Sequence, residues 1–84
     1  VTVNNLALVL KDQYRFAEAA RLLELGISHS PDVAELHFNL AVIAELYLLD
    51  LQTALEHYNR YRQLTEKEDQ QVAGWIADLE RRLQ

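Results

Sequence analysis

The tripeptide Asn5-Leu6-Ala7 returns 34 residues later as Asn39-Leu40-Ala41. Downstream of each copy the correspondence continues at a spacing of 35: Phe16 with Leu51, Ala19 with Ala54, and Leu23 with Tyr58. One residue has therefore been added to the second copy, between Ala44 and Leu51. Self-similarity at this period means one supersecondary unit used twice.

Each unit carries two stripes of helical spacing. Val3, Leu6, Ala7 and Leu10 fall at i, i+3, i+4, i+7, and so do Phe16, Ala19, Ala20 and Leu23. In the second unit Leu36, Leu40, Ile43 and Ala44 share a face, as do Leu51, Ala54, Leu55 and Tyr58. Stripes of this width are what a packed helix buries. The breaks fall between them. Asp12-Gln13-Tyr14-Arg15 joins the first pair of helices. Ser28-His29-Ser30-Pro31-Asp32 ends the first unit, with Pro31 able to begin a helix but not to continue one. Glu66-Lys67-Glu68-Asp69 ends the second.

The remaining segment sets Val72, Trp75, Ile76, Leu79 and Leu83 on one stripe, with Asp69 as the expected N-cap. Asp78, Glu80, Arg81 and Arg82 occupy the other side. An element that is apolar inside and polar outside closes a repeat array, and Trp75 is expected in the core. The prediction is a single all-α domain. Its first repeat spans about residues 1–32, its second about 33–68, and a capping helix about 69–83. Gly26 has two readings: a close approach between helices, or fraying ahead of Pro31.

Composition narrows the functional classes. Half of the 84 residues are hydrophobic, with one Pro and two Gly, which is a folded composition. No cysteine is present, so disulfides, thiolate metal sites and cysteine nucleophiles are excluded. No apolar run approaches the roughly 20 residues of a membrane-spanning helix. The nearest, residues 46–51, is interrupted by Asp50, so no direct membrane insertion is expected. The net charge is −5 and the eight basic residues are scattered, which disfavours nucleic acid and anionic membrane surfaces as partners. The chain opens at Val1 inside a helical pattern and is read as a piece of a longer protein.

With these residues in view, the chain resembles the tetratricopeptide-repeat (TPR) family over residues 1–64. Leu6-Ala7 and Leu40-Ala41 match the family's large-then-small pair in the first helix. Leu10 fills its aromatic slot, Ala19 and Ala54 its small residue in the second helix, Leu23 and Tyr58 its bulky one, and Pro31 its terminal proline. Ala44 in the aromatic slot, Glu66 in place of proline and Tyr61 in a usually small slot depart from the pattern. The resemblance implies two helix-turn-helix hairpins in a short right-handed α-solenoid. The C-terminal stretch resembles the end of bacterial TPR proteins, some of them associated with the cell envelope. A bacterial cytoplasmic or periplasmic location is equally compatible with it.

In that family the first helix of each pair lines a concave surface that binds peptides. Carried over, the surface here comprises Asn4, Asn5, Leu8, Lys11 and Asp12 from the first unit. Glu35, Phe38, Asn39, Val42, Glu45 and Leu46 come from the second. Leu8, Phe38, Val42 and Leu46 would form an apolar floor. Asn5 and Asn39, at equivalent places, would offer amides that both donate and accept. Some family members clamp a C-terminal carboxylate with Lys, Arg and Asn. Asn39 matches one member, but Asn4 and Glu35 stand where lysine is wanted. The expected ligand is therefore a protein or peptide, apolar or amphipathic, whose basic flanks suit Asp12, Glu35 and Glu45.

No catalytic role, cofactor or metal is expected. His29, His37 and His57 have no partner at a metal-binding spacing, and packing or solvated roles account for them. The competing reading is a scaffold that forms a homo-oligomer. It would use an edge made by Val1, Val3 and Leu6, with Tyr58 and Tyr61 as an outer patch.

Overall fold

The computed structural model describes residues 2–65 and 70–84. The expected N-cap Asp69, the edge residue Val1 and the break at 66–69 lie outside the described residues. Among the described residues there are five helices: α1 (Val3–Asp12), α2 (Phe16–His29), α3 (Ala34–Leu46), α4 (Leu51–Leu64) and α5 (Gln70–Arg82). α1 and α2 form one hairpin and α3 and α4 a second, and α2 also packs on α3 and α4 on α5. The protein is all-α, and its sequential helix packing is that of a short helical repeat.

Local chemistry fixes several helix ends. Thr2 Oγ1 accepts from the Asn5 backbone N–H at 3.1 Å and caps α1. Asp50 does the same for α4, accepting from the Thr53 N–H at 3.2 Å and from its hydroxyl at 2.8 Å. These caps satisfy donors that a helix start leaves unpaired.

The first hairpin turn is a Schellman closure. The Tyr14 N–H donates to the Lys11 carbonyl and the Arg15 N–H to the Leu10 carbonyl, each at 2.9 Å, with Tyr14 left-handed at φ 62°. The second turn is the same device with one residue added. Asp50 N–H reaches back to the Ala44 carbonyl at 2.8 Å, and Leu49 is left-handed at φ 55°. The inserted residue thus lies in the turn at 47–50. Both left-handed positions belong by preference to glycine, and a bulky side chain there costs about 1–2 kcal/mol.

Two hydrophobic clusters fill the interior. The first joins Ala7, Ala19, Ala20, Leu23, Leu36, Leu40 and Ile43 from α1, α2 and α3. The second joins Ala41 and Ala44 of α3 to Ala54 and Tyr58 of α4 and to Val72, Ile76 and Leu79 of α5. α3 is therefore shared by both, and its buried residues lie nearly all round it, as befits a central helix.

Several expectations need correction. Ser28 and His29 still belong to α2, so the break between the units starts at Ser30, and Pro31 sits in that turn as expected. Leu83 lies past the end of α5 and is exposed, so it does not extend the buried stripe. Tyr58 is not an outer-patch residue. It is fully buried, because its ring fills the space that Leu23 fills in the first hairpin. Tyr61 packs half-buried against the same cluster, as does Trp75.

Gly26 marks a close approach and not a frayed end. It is buried in α2, and a Cβ added to it would lie 2.9 Å from Val3 Cγ1 and 3.4 Å from Leu36 Cδ1. Gly26→Ala would gain about 1 kcal/mol of helix propensity but must displace Val3. The expected net effect is a lowered melting temperature, with Val3→Ala restoring part of the loss in the double variant. An increase on Gly26→Ala alone would show that the contact is slack. Ala54→Leu, at a position with no accessible surface, should cost roughly 1–3 kcal/mol by overpacking. A domain of this size would then melt about 4–8 °C lower per kcal/mol, readable by calorimetry.

Candidate peptide-binding surface

α1 and α3 carry all eleven expected contact residues, and the structure sorts them into those engaged within the fold and those open to a ligand. Asn39 Nδ2 donates to Asn4 Oδ1, and Asn4 Nδ2 donates to Glu35 Oε2 at 3.5 Å. The two helices are thus tied by a chain of side chains running Asn39–Asn4–Glu35. Asn39 consequently spends its donor internally, whereas Asn5 is exposed and its amide has no partner among the described residues. The two asparagines are equivalent in sequence and unlike in use. Leu8 is half-buried beside them, and Lys11 lies 3.7 Å from Asp12 in an exposed pair of little energetic weight.

The far half of α3 is occupied by its own neighbours. Phe38 packs on Tyr61, Trp75 and Tyr58, with ring centroids 5.1, 6.1 and 6.2 Å away. Val42 packs on the same cluster. Glu45 accepts from the Tyr58 hydroxyl at 3.1 Å and from Arg82 at 3.3 Å, and Arg82 also reaches Asp78 at 3.5 Å. Burial, together with the Glu45 carboxylate, pushes the Tyr58 phenol well above its ordinary range, so it remains a donor at all physiological pH. Phe38, Val42 and Glu45 thus fasten α5 to α3. What stays open is Asn5, Leu8, Lys11, Asp12 and Glu35, with Leu46 exposed at the far end.

Next to the open residues lies a cleft of about 520 Å³. Val3, Leu25, Val33 and Leu36 give it apolar walls, Gly26 deepens it, and Asn4, Asn5, His29, Ser30 and Glu35 supply polar groups. A recess of that volume accepts one or two apolar side chains, with hydrogen-bonding groups left for the main chain. The sequence reading missed Leu25, His29, Ser30 and Val33. The available signal was Leu25, an exposed leucine off the stripe of α2, adjoining Gly26.

A second cleft, of about 540 Å³, lies among α2, α3 and α4 and includes His37 and His57. These histidines are 20 residues apart and no motif pairs them, yet their Nδ1 atoms are 2.9 Å apart. His37 is buried and its Nε2 lies 2.8 Å from the Pro31 carbonyl. A carbonyl only accepts, so that nitrogen carries the proton and His37 Nδ1 is a lone pair. His57 Nδ1–H donates to it. Among the described residues no group of three or more His, Asp or Glu is placed to hold a metal ion.

No protein-family model matches the chain, and no curated protein matches it.

The histidine pair predicts a pH dependence. Burial and the neighbouring His37 lower the His57 pKa from its usual 6.5, with Glu56 and Glu24 opposing in part. A depressed base binds fewer protons folded than unfolded, so stability is full above 6.5 and falls as pH drops below it. Wild-type protein should melt lower at about pH 5 than at about pH 7.5, and His57→Gln, which keeps a donor, should narrow that difference. Identical slopes for the two proteins would remove the pair from the account.

Proposed function

We propose that the chain is a TPR-like module that binds a protein or peptide segment and performs no chemistry itself. The observation that carries this reading is the cleft between the start of α1 and the end of α2, adjoining Asn5 and Glu35. An apolar anchor residue of the ligand would enter between Val3, Leu25 and Val33. The rest of the segment would run over Leu8 toward Leu46, with Asn5 available to its backbone. Asp12 and Glu35 are the exposed carboxylates along that course, so a basic flank is favoured. Glu45, tied to Tyr58 and Arg82, is left out of the ligand's acidic rim. The equivalence of the two hairpins supports the TPR assignment: Ala7 and Ala41, and Ala19 and Ala54, are all without accessible surface. An adaptor or assembly role accords with that assignment, and the resemblance of the C-terminal stretch to the end of bacterial TPR proteins favours a bacterial cell.

A scaffold reading stands second, on one observation. Leu6 is 43% exposed while its counterpart Leu40, covered by α2, is 1% exposed. Val9 and Ile43 show the same contrast, so the open side of α1 is apolar surface whose counterpart on α3 is buried against α2.

Selection from a displayed random-peptide library tests the first reading. Wild-type protein should enrich sequences with an apolar anchor and flanking Lys or Arg. A Leu8→Glu/Val33→Glu variant, checked for helicity, should bind the enriched peptides at least about tenfold more weakly, equivalent to about 1.4 kcal/mol. Equal binding by both proteins would remove the ligand from this surface and favour the scaffold.

A further inference from the structure

The end of the molecule that holds both hairpin turns is apolar and open. Tyr14 is 83% exposed, Leu49 74% and Leu46 59%, and Tyr47 and Leu48 are exposed beside them. Ring contacts join the two turns into one surface. Tyr47 stacks on Phe16 at 4.1 Å with an interplanar angle of 7°, and Tyr14 meets Phe16 edge-on at 6.1 Å. Tyr14 and Leu49 occupy corresponding places in the two turns, and both are left-handed. Glycine would take either place at lower energy and would show no side chain. The chain therefore holds two large apolar groups in water, at positions where folding alone favours none. Strain of this kind in an ordered turn points to a use outside the fold.

We propose that this turn end is a self-association surface, through which two copies of the chain pair about a two-fold axis. This goes beyond the peptide-binding reading and uses a different face, with Lys11, Asp12 and Leu46 at the boundary of both. Three features favour a second copy as the occupant. First, most charges around the patch have a neighbour of opposite sign: Arg15 holds Glu18 at 3.0 Å, and Lys11 lies 3.7 Å from Asp12 in a weak exposed pair. Asp50, the α4 cap, keeps its charge. Two identical faces then meet with little like-charge repulsion, although the whole chain carries −5. Second, the patch offers two kinds of apolar group, the rings of Tyr14, Phe16 and Tyr47 and the leucines at 46, 48 and 49. An isologous contact about a two-fold axis lets each kind meet the other on the partner copy. Third, exposed side chains of this size present about 150–250 Å² each when fully open, so the patch is on the order of 500 Å². That is the larger part of the roughly 800 Å² per partner in a standard interface.

The test is sedimentation equilibrium of the 84-residue chain over micromolar to submillimolar concentrations. Wild type should approach twice the monomer mass. Tyr14→Gly/Leu49→Gly should weaken dimerisation at least about tenfold, or about 1.4 kcal/mol. At dilutions where both proteins are monomeric, the same variant should melt a few degrees higher. A control, Leu6→Glu/Val9→Glu, alters the open side of α1 and should leave dimerisation unchanged. Wild type that stays monomeric throughout overturns the proposal, as does a dimer that survives the double glycine variant. Loss of the dimer in the α1 control but not in the glycine variant overturns it in favour of that helix face. A monomer that instead binds phosphatidylcholine vesicles through the patch overturns it in favour of a lipid contact.

Discussion

Helix-to-helix contact through alanine is the constraint on which the rest of this structure depends. Ala7, Ala19, Ala41 and Ala54 have no accessible surface, and each lies where one helix crosses the next. A methyl group lets two backbones approach far closer than a leucine would, and interiors tolerate little deviation from that spacing. The close approach then dictates where large groups belong. Leu23 and Tyr58 fill corresponding volumes in the two hairpins, and Gly26 takes the place where even a methyl group is too large. The 34-residue recurrence is the trace of this spacing in the sequence.

Polar groups enter the interior where the second hairpin departs from the first. His37 corresponds to Val3, and its burial is met by the Pro31 carbonyl and His57. Tyr58 corresponds to Leu23, and its hydroxyl is met by Glu45, which also receives Arg82 from α5. A buried polar group without a partner costs about 1–3 kcal/mol. Among the described residues no buried side-chain nitrogen or oxygen is left in that state. These contacts also decide which parts of the inner surface stay available. α5 takes Phe38, Val42 and Glu45 for its own attachment, and α1 leaves Asn5 and Leu8 free.

The helices and their order are legible in the sequence because small and large apolar residues recur with helical spacing. The position of the added residue is legible as well, from the shift of 34 to 35. Other features were not. The departure of Leu83 from the α5 stripe depends on where that helix ends, which periodicity does not mark. The His37–His57 pair depends on how α3 and α4 face one another, since nothing local to either residue requires the other. The division of the inner surface depends on α5. Phe38 looks like a free aromatic on an inner face until Trp75 is brought against it. Asn5 and Asn39 are likewise indistinguishable by position, and only the Asn4 side chain separates them.

The two hydrophobic clusters are divided along α3, with Leu40 in one and the adjacent Ala41 in the other. Such a helix is a party wall. If α5 lifts away, the interior around Ala19 and Leu23 stays dry, and if α1 lifts away, the interior around Tyr58 and Ile76 does. Partial openings are therefore set half by half, each with its own free energy. Amide exchange would rise toward both ends of the chain and be slowest in the wall, which keeps a packed helix on one side in either opening.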